Sequence, residues 1–328
     1  AVPTLTADSR LLECIESLGR QTQRDFEVII IDNSGEGRVR RKGCAAGARV
    51  IENSRNAGFG AAINQAWRAS SAPFVATLND DAAAHPGWLE ALVRAAQKRP
   101  DAGMCASAVR LYGEERLDSA GMLMARDGSS KQRGHGRPPE DFPALEEVLF
   151  PSGSAALYRR AMLEELGGFD ERFFLYCEDT DLGLRARWAG WKCLYVPDAV
   201  VEHHYSHSAG RASGLKAYYV ERNRLFVAAK NLPAPMLLAS PWFALARYFW
   251  HAAYLARGRG SAARFRAEGN AGPKMAWYVI RAHAALLAHA GRLWRERRRI
   301  RAGARVTPAV FRRLLRSHSI SARRIAGL

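Results

Sequence analysis

Acidic residues nearly vanish from the last third of this chain. Residues 201–328 hold 24 Lys and Arg against 4 Asp and Glu, whereas residues 1–200 hold 25 against 28. The net charge of +17 therefore belongs to the C-terminal third, which excludes a neutral or acidic binding face there. A block of that kind attracts a polyanion: nucleic acid, an anionic membrane surface or a phosphate-bearing substrate. Cysteine is also sparse. Cys14, Cys44, Cys105, Cys177 and Cys193 are odd in number, widely spaced and free of any C-x-x-C pair. That argues against a disulfide framework and a zinc site, and fits a reducing compartment. No apolar run reaches the roughly 18 clean residues of a spanning helix. The most apolar stretch, 232–255, is broken by Pro233, Pro235, Pro241 and Arg247. There is no internal repeat, and no Gly-Lys-Ser/Thr to make a P-loop. The opening residues carry no secretory-signal pattern. Ala1-Val2-Pro3-Thr4-Leu5 lacks an initiator Met and reads as the tail of a strand whose first residues lie outside the sequence.

What is present is ordinary for a globular protein, 48% hydrophobic and 25% charged, enough for one large domain or two smaller ones. The first 110 residues alternate strand and helix signals. Leu11, Leu12, Ile15 and Leu18 have helical spacing behind a capping Asp8 or Ser9. Phe26 to Ile31 is a β-branched run that stops at the turn Asp32-Asn33-Ser34-Gly35. A strand at 49–51, a helix at 61–69, a strand at 74–78 and a helix at 88–97 follow. Such alternation predicts a parallel, doubly wound sheet, whose ligands bind beyond the carboxyl ends of strands. Asp32 and Asp81 lie at those ends. Residues 134–143 read as a mobile loop. Later come a helix at 160–166, a helix at 182–189 and a strand at 192–196, and from about 215 the chain reads as helical.

Two acidic clusters stand out. Asn79-Asp80-Asp81 ends a strand. About 100 residues later, Glu178-Asp179-Thr180-Asp181 follows the aromatic run Phe173-Phe174-Leu175-Tyr176. Apolar residues seek burial and carboxylates seek water, a cation or a proton to move, so the boundary predicts a cleft wall with general bases. A helix N-terminus with acids in its first turn is the structural alternative for the second cluster, and a simple turn for the first.

These elements, in this order, resemble glycosyltransferase family 2: Pro3-Thr4-Leu5, Glu16-Ser17-Leu18 with Gln21-Thr22, Asp32-Asn33-Ser34, Asn56-x-Gly58-Phe59-Gly60 with Asn64, Leu78-Asn79-Asp80-Asp81, Gly167-Gly168-Phe169-Asp170-Glu171-x-Phe173-Phe174, Glu178-Asp179-x-Asp181-Leu182, the His203-His204 region and Glu221-Arg222-Asn223-Arg224. The resemblance covers roughly residues 1–230. It implies a GT-A fold (Rossmann-like, α/β, a mostly parallel doubly wound sheet) and an inverting transfer of a sugar from a nucleotide donor, with UDP- or dTDP-sugars favoured. It implies Asp179 as the general base, with Glu178 and Asp181 as orienting or helix-start acids. It implies Asp81 and one histidine, His203 ahead of His204, as ligands of Mn2+ or Mg2+. The family's metal motif is departed from at Asn79, whose amide oxygen ligates with less charge. Asp80 is counted with Asn79 among the donor-binding residues, although the middle place in the cluster could also turn it to solvent. It implies a base pocket of Thr4, Leu5 and Asp32, the last accepting from a pyrimidine N3–H, although an Asx-turn would use the same carboxylate. It further implies close backbone approach to the nucleotide at Asn56 and Gly58, to the donor sugar at Ser152 and Gly153, and to the diphosphate from Arg222 and Arg224. Trp188 and Trp191 could stack on an acceptor. His203, His204 and His207 together do not have zinc spacing.

The expected division is a catalytic domain over 1–230 and a basic helical region over 231–328. Trp242, Phe243, Tyr248, Phe249, Trp250 and Tyr254 beside arginines suit a helix in the headgroup layer, with Arg292 to Arg301 as the densest docking charge. Packing on the catalytic domain or on a second copy of the chain is the alternative. The expected setting is the cytoplasmic face of a membrane, peripheral, with a surface polysaccharide or lipid-linked glycan as acceptor. A transferase acting on polyprenyl phosphate is the runner-up. A non-catalytic module is the reading from another class, with nucleic acid disfavoured because no reader fold is recognisable.

Overall fold

The computed structural model describes residues 1–45, 47–204, 214–267, 269 and 273–327; His207 lies outside them. Two compact units are defined, one from residues 1–122 and 132–208, the other from residues 123–131 and 209–328.

The first unit is built on strands that bury both faces. β1 (Val2–Thr4), β2 (Ile29–Asp32) and β3 (Arg49–Glu52) form a parallel sheet in the order β1-β2-β3. Residues 29–31 of β2 are all isoleucine and buried, as a strand covered on two sides requires. β4 (Phe74–Leu78) continues the layer through Leu78 N–H donating to Ala1 O at 3.1 Å. The remaining strands, in chain order, are β5 (Ala82–Ala84), β6 (Ala102–Leu111), β7 (Leu117–Ser119), β8 (Met122–Met124), β9 (Ser130–Gln132), β10 (Glu146–Val148), β11 (Ala155–Arg159) and β12 (Lys192–His203); β8 and β9 form a two-stranded sheet whose residues 123–131 belong to the second unit. The larger sheet has the order β10-β12-β6-β11-β4, with β5 on β12 and β7 on β6. It is mixed: β6 and β12 run parallel, whereas β11 inserts antiparallel between β4 and β6. That insertion brings the start of β11 beside the end of β4, and the site depends on it.

Helices α1 (Ser9–Gly19), α2 (Arg38–Arg41), α3 (Phe59–Ala69), α4 (Trp88–Lys98), α5 (Arg160–Leu166) and α6 (Glu178–Trp188) complete this unit. Asp8 caps α1 by accepting from Arg10 N–H at 3.0 Å, and Leu11, Cys14, Ile15 and Leu18 turn inward. Three sequence expectations change. The strand expected to stop at Val196 runs on to His203, with an irregularity after Val196 where Pro197 supplies no N–H. Residues 134–143 are tied down rather than loose: Phe142 is buried, with the guanidinium groups of Arg133 and Arg137 4.6 and 5.0 Å from its ring centre. α6 begins at Glu178, so the whole acidic motif is its first turn.

The second unit is helical: α7 (Gly214–Asn231), α8 (Ala234–Leu255), α9 (Gly260–Ala267), α10 (Pro273–Ala288), α11 (Ala290–Ala302), α12 (Pro308–Ser317) and α13 (Ala322–Gly327). Its boundary falls near 208 rather than 230, because α7 packs on α10 and α11. The C-terminal end of α7 explains this. Arg297 donates to Ala229 O and Arg301 to Asn231 O, satisfying carbonyls that a helix end leaves open. A buried ionic network locks α7 to α8. Glu221 accepts from Arg224, from Arg247 at 2.8 Å and from the Tyr248 hydroxyl at 2.5 Å, while Arg247 also reaches Asp127 at 2.6 Å. Arg224 is therefore structural and not a diphosphate ligand.

Burial alone would raise the Glu221 carboxyl, but the two guanidiniums hold it far below the usual carboxylate range. A depressed carboxylate stabilises the fold above its unfolded value, and that contribution is lost as pH falls toward the folded value. Glu221→Ala leaves two arginines buried without it and should cost about 3–5 kcal/mol in chemical denaturation at neutral pH, with the difference from the native chain shrinking in acid.

Candidate active site

One short loop joins the two acidic clusters. Residues 152–154 lead into β11. Ser154 O accepts Asn79 N–H at 2.9 Å, Gly153 O accepts from Thr77 Oγ1 at 3.2 Å, and Gly153 N–H donates to Asp179 Oδ2 at 3.0 Å. A Cβ on Gly153 would lie 3.3 Å from the Phe59 ring and 3.5 Å from Asp179 Cβ, so glycine permits the approach.

On the β4 side, Asp80 does not face solvent. It is buried and accepts from Thr4 Oγ1 at 2.6 Å, which fastens the ends of β1 and β4 together. Burial, with Asp81 next door, raises its carboxyl to about 6 against the Thr4 hydrogen bond. Asp81 is buried too, its Oδ1 3.2 Å from His203 Nε2 but without a hydrogen bond. Asn79 Nδ2 lies 3.3 Å from the same ring nitrogen. The other nitrogen, Nδ1, meets Asp118 Oδ2 at 3.0 Å, and Asp118 Oδ1 meets His135 at 3.2 Å. Burial would lower the His203 imidazole, yet Asp118 and Asp81 outweigh it and push it up to about 10. Of the two histidines, His203 points at Asp81. His204 turns away to Glu13 Oε2 at 3.1 Å and stacks on Tyr112.

The residues present fit a hard divalent cation. A buried carboxylate oxygen whose neighbour is the His203 ring, that ring's Nε2 and the Asn79 amide lie together, and Asp118 behind the ring fixes which nitrogen faces forward. Among the described residues no three His, Cys, Asp or Glu side chains are placed to hold a metal ion by themselves. Further oxygens would have to come from a substrate. Asp118 had no sequence signal, since an acid inside a short strand gives no hint of a partner 85 residues away.

On the α6 side, Asp179 is half-buried and its Oδ1 accepts from Thr180 N–H at 2.6 Å. Burial raises its carboxyl, opposed by the N–H groups of Gly153 and Thr180. Glu178 is more deeply buried, and its Oε2 has no partner. Burial, and Asp179 beside it, raise Glu178 to about 8. Burial thus pushes both neighbouring carboxyls upward, and the Asp179 charge adds to the effect on Glu178. Asp181 instead pairs with Arg185 at 2.8 Å inside the core and is structural.

Several assigned residues serve this loop. Asn56 Oδ1 accepts Gly58 N–H at 2.9 Å, and Phe59 N–H donates to Phe174 O at 2.9 Å. Gly58, at φ +85°, leaves room for the Phe174 carbonyl, which a Cβ would overlap. Asn56 and Gly58 thus support the acidic motif itself. Asp32 spends its oxygens on Ser34 N–H at 2.9 Å and Val39 N–H at 2.8 Å, the Asx-turn alternative, while Leu5 stays half-buried just beyond β1. Burial would raise Asp32; those bonds and Arg38 bring it below the usual range. Trp188 is core, and Trp191 donates to Glu165 at 3.0 Å. Arg222 belongs to the second unit, where its guanidinium lies 4.6 Å from the Tyr219 ring centre.

The arrangement has the GT-A architecture. Its likeness to solved structures includes the mannosyltransferase PcManGT from Pyrobaculum calidifontis in complex with GDP-Man and Mn2+, at TM-score 0.51 and 20% identity, covering 90% of this chain and 86% of that one. It also includes GalNAc-T7 with UDP, GalNAc and Mn2+, at TM-score 0.57 and 15% identity, where 88% of this chain spans 57% of that one. The glycosyl transferase family 2 model matches residues 1–167, and the chain belongs to that family. It is a glycosyltransferase. It is 31% identical over 246 residues to an N-acetylglucosaminyl-diphospho-decaprenol L-rhamnosyltransferase of Mycobacterium tuberculosis, covering 66% of this chain and 79% of that protein. It is 27% identical over 212 residues to the O-antigen chain rhamnosyltransferase WbaN of Salmonella anatum, covering 63% and 66%.

Glu178 gives a pH test. Its folded value of about 8 exceeds the ordinary 4.5, so its contribution to stability is complete below 4.5 and is lost as pH rises through 8. Glu178→Gln cannot ionise and should escape that loss. Its Tm, relative to the native chain, should rise from mildly acidic to alkaline buffer, and a pH-independent difference would show that Glu178 is ordinary.

Proposed function

We propose that the chain is an inverting transferase that moves a sugar from a nucleotide donor, UDP- or dTDP-linked, to a hydroxyl of a lipid-linked or surface glycan. The observation that carries this is the loop 152–154, which holds the Asn79–Asp81 cluster and Asp179 on either side of one backbone strap. The rhamnosyltransferase relatives support a deoxyhexose donor and, through the diphospho-decaprenol named for one of them, a lipid-linked acceptor.

Asp179 takes the proton of the acceptor hydroxyl. That oxygen attacks the anomeric carbon from the face opposite the nucleotide, and the C–O bond to the diphosphate breaks with its electron pair going to the phosphate oxygen. Raised by burial yet oriented by two N–H groups, Asp179 is a stronger base than a free carboxylate and keeps a fixed direction. Glu178, protonated, adds no second charge beside it. Asp81, His203 and Asn79 would hold Mn2+ or Mg2+, whose chemistry is to offset the charge of the departing diphosphate. His203 must give up the Nε2 proton for that role, so the site binds the ion more tightly as pH rises. Thr4, Leu5 and the Asp32 turn shape the base pocket, with Asp32 as scaffold and base reader. The basic second unit docks on the cytoplasmic face of an anionic membrane.

Asp179→Asn should lower turnover by about 10²–10⁴-fold while nucleoside diphosphate affinity, measured by calorimetry, stays within error. An unimpaired variant would transfer the role to Glu178. In the same calorimeter, Mn2+ should tighten nucleoside diphosphate binding in the native chain and release a proton. Asp81→Ala should abolish both effects, and full activity in excess chelator would rule the metal out.

A further inference from the structure

Helix α8 is inside out. Its arginine and tyrosine, Arg247 and Tyr248, face inward to Glu221 and Asp127. Its outer stripe, at spacings of four, three and four, is Leu238, Trp242, Leu245 and Phe249, exposed by 78, 73, 57 and 65%. Ala234, Pro235, Pro241 and Ala252 complete the exposed side, so no charged residue interrupts it. Beside the stripe, the second unit has a cavity of about 480 Å³ with Met124, Ala239, Phe243 and Leu315 in its wall. Three guanidiniums line the same cavity, Arg126, Arg312 and Arg316, and no acidic residue does. Arg126 lies over the Phe243 ring, 5.0 Å from its centre.

A soluble helix places its charge outward. This one buries its charge and offers water an apolar ridge, which suits a segment lying in the boundary of a bilayer. The arginines select the lipid. A cavity walled by apolar side chains and by three guanidiniums, none with an ion pair among the described residues, complements a lipid chain with its phosphate, since a guanidinium binds phosphate oxygens in its fork. A second copy of the chain is a poorer occupant, because a two-fold contact would bring the same arginines face to face.

We propose that this cavity binds a phospholipid of net negative charge, its chain against Ala239, Phe243 and Leu315 and its phosphate on Arg126, Arg312 and Arg316, with the Leu238–Phe249 ridge in the bilayer. It rests on the proposed function only for the idea that the acceptor is such a lipid. The docking surface thereby shifts from Arg292–Arg301, where Arg297 and Arg301 are committed to α7, to α8 and α12.

The test is flotation of the whole chain with phosphatidylcholine vesicles, with and without one-fifth phosphatidylglycerol, in the absence of donor. The native chain should bind only the second kind, with a blue shift in tryptophan emission that Trp242→Phe removes. The double variant Arg312→Ala, Arg316→Ala should weaken binding about 20- to 30-fold. Ala239→Trp, which fills the slot and changes no charge, should weaken it as well, with folding checked by circular dichroism. The Asp179→Asn variant should float like the native chain, which keeps failure of the chemistry separate from failure of the lipid site. The proposal is overturned if the native chain does not float. It also falls if both cavity variants float normally, since diffuse charge would then explain adsorption, or if the native chain forms a dimer that hides Trp242 and ignores vesicles.

Discussion

His203 between Asp81 and Asp118 is the interaction on which the site's charge balance turns. Two buried carboxylates and one buried imidazole are tolerable together because the ring, pushed up to about 10, carries the charge that both acids need. The same ring closes β12 against the end of β4 and aims one nitrogen at Asp81. A cation held there would take the place of a proton, so the positive charge between the acids would be kept while its carrier changed. Asp118 stays in place throughout and accounts for why the ring cannot simply turn away.

The strap 152–154 extends that order to the base. β11 runs antiparallel to β4, so its first residues lie against the last residues of β4. A parallel strand there would have put its far end beside Asn79 and left Asp179 without the Gly153 N–H. One reversed strand thus turns two sequence-distant acidic clusters into neighbours.

The individual elements were legible wherever period and caps agreed: α4 and α5, and the strands at 49–52 and 74–78, need only local pattern. Asp81, Asp179 and Gly153 were singled out by residue type at a strand end, a helix start and a loop, and the Gly153 N–H does reach Asp179. What sequence did not disclose depends on distant partners. For Asp80 a turn to solvent was open, but Thr4 Oγ1 lies 2.6 Å away and holds it inside. That Gly58 would also make room for the Phe174 carbonyl, with Asn56 bracing its N–H, was not visible in the sequence. Asp118 was invisible, and so was the inward charge of α8, since a helical pattern does not say which face meets the core when the buried face is the polar one.

Strain shows where the molecule departs from what the chain would choose. Phe174, Tyr176 and Cys177 all hold positive φ, at 63°, 68° and 65°, directly before the Glu178-Asp179 pair. Left-handed backbone costs a residue with a side chain of the order of 1–3 kcal/mol, and three in four positions do not arise without a compensating frame. The frame is visible: Gly58 admits the Phe174 carbonyl, Phe59 N–H binds it, and Asp181 with Arg185 anchors the first turn of α6 in the core. A relaxed connection could start the helix equally well. It would not hold two carboxyls side by side in a buried wall, where burial raises both and the Asp179 charge raises Glu178 further, and that raised basicity is what a proton acceptor requires.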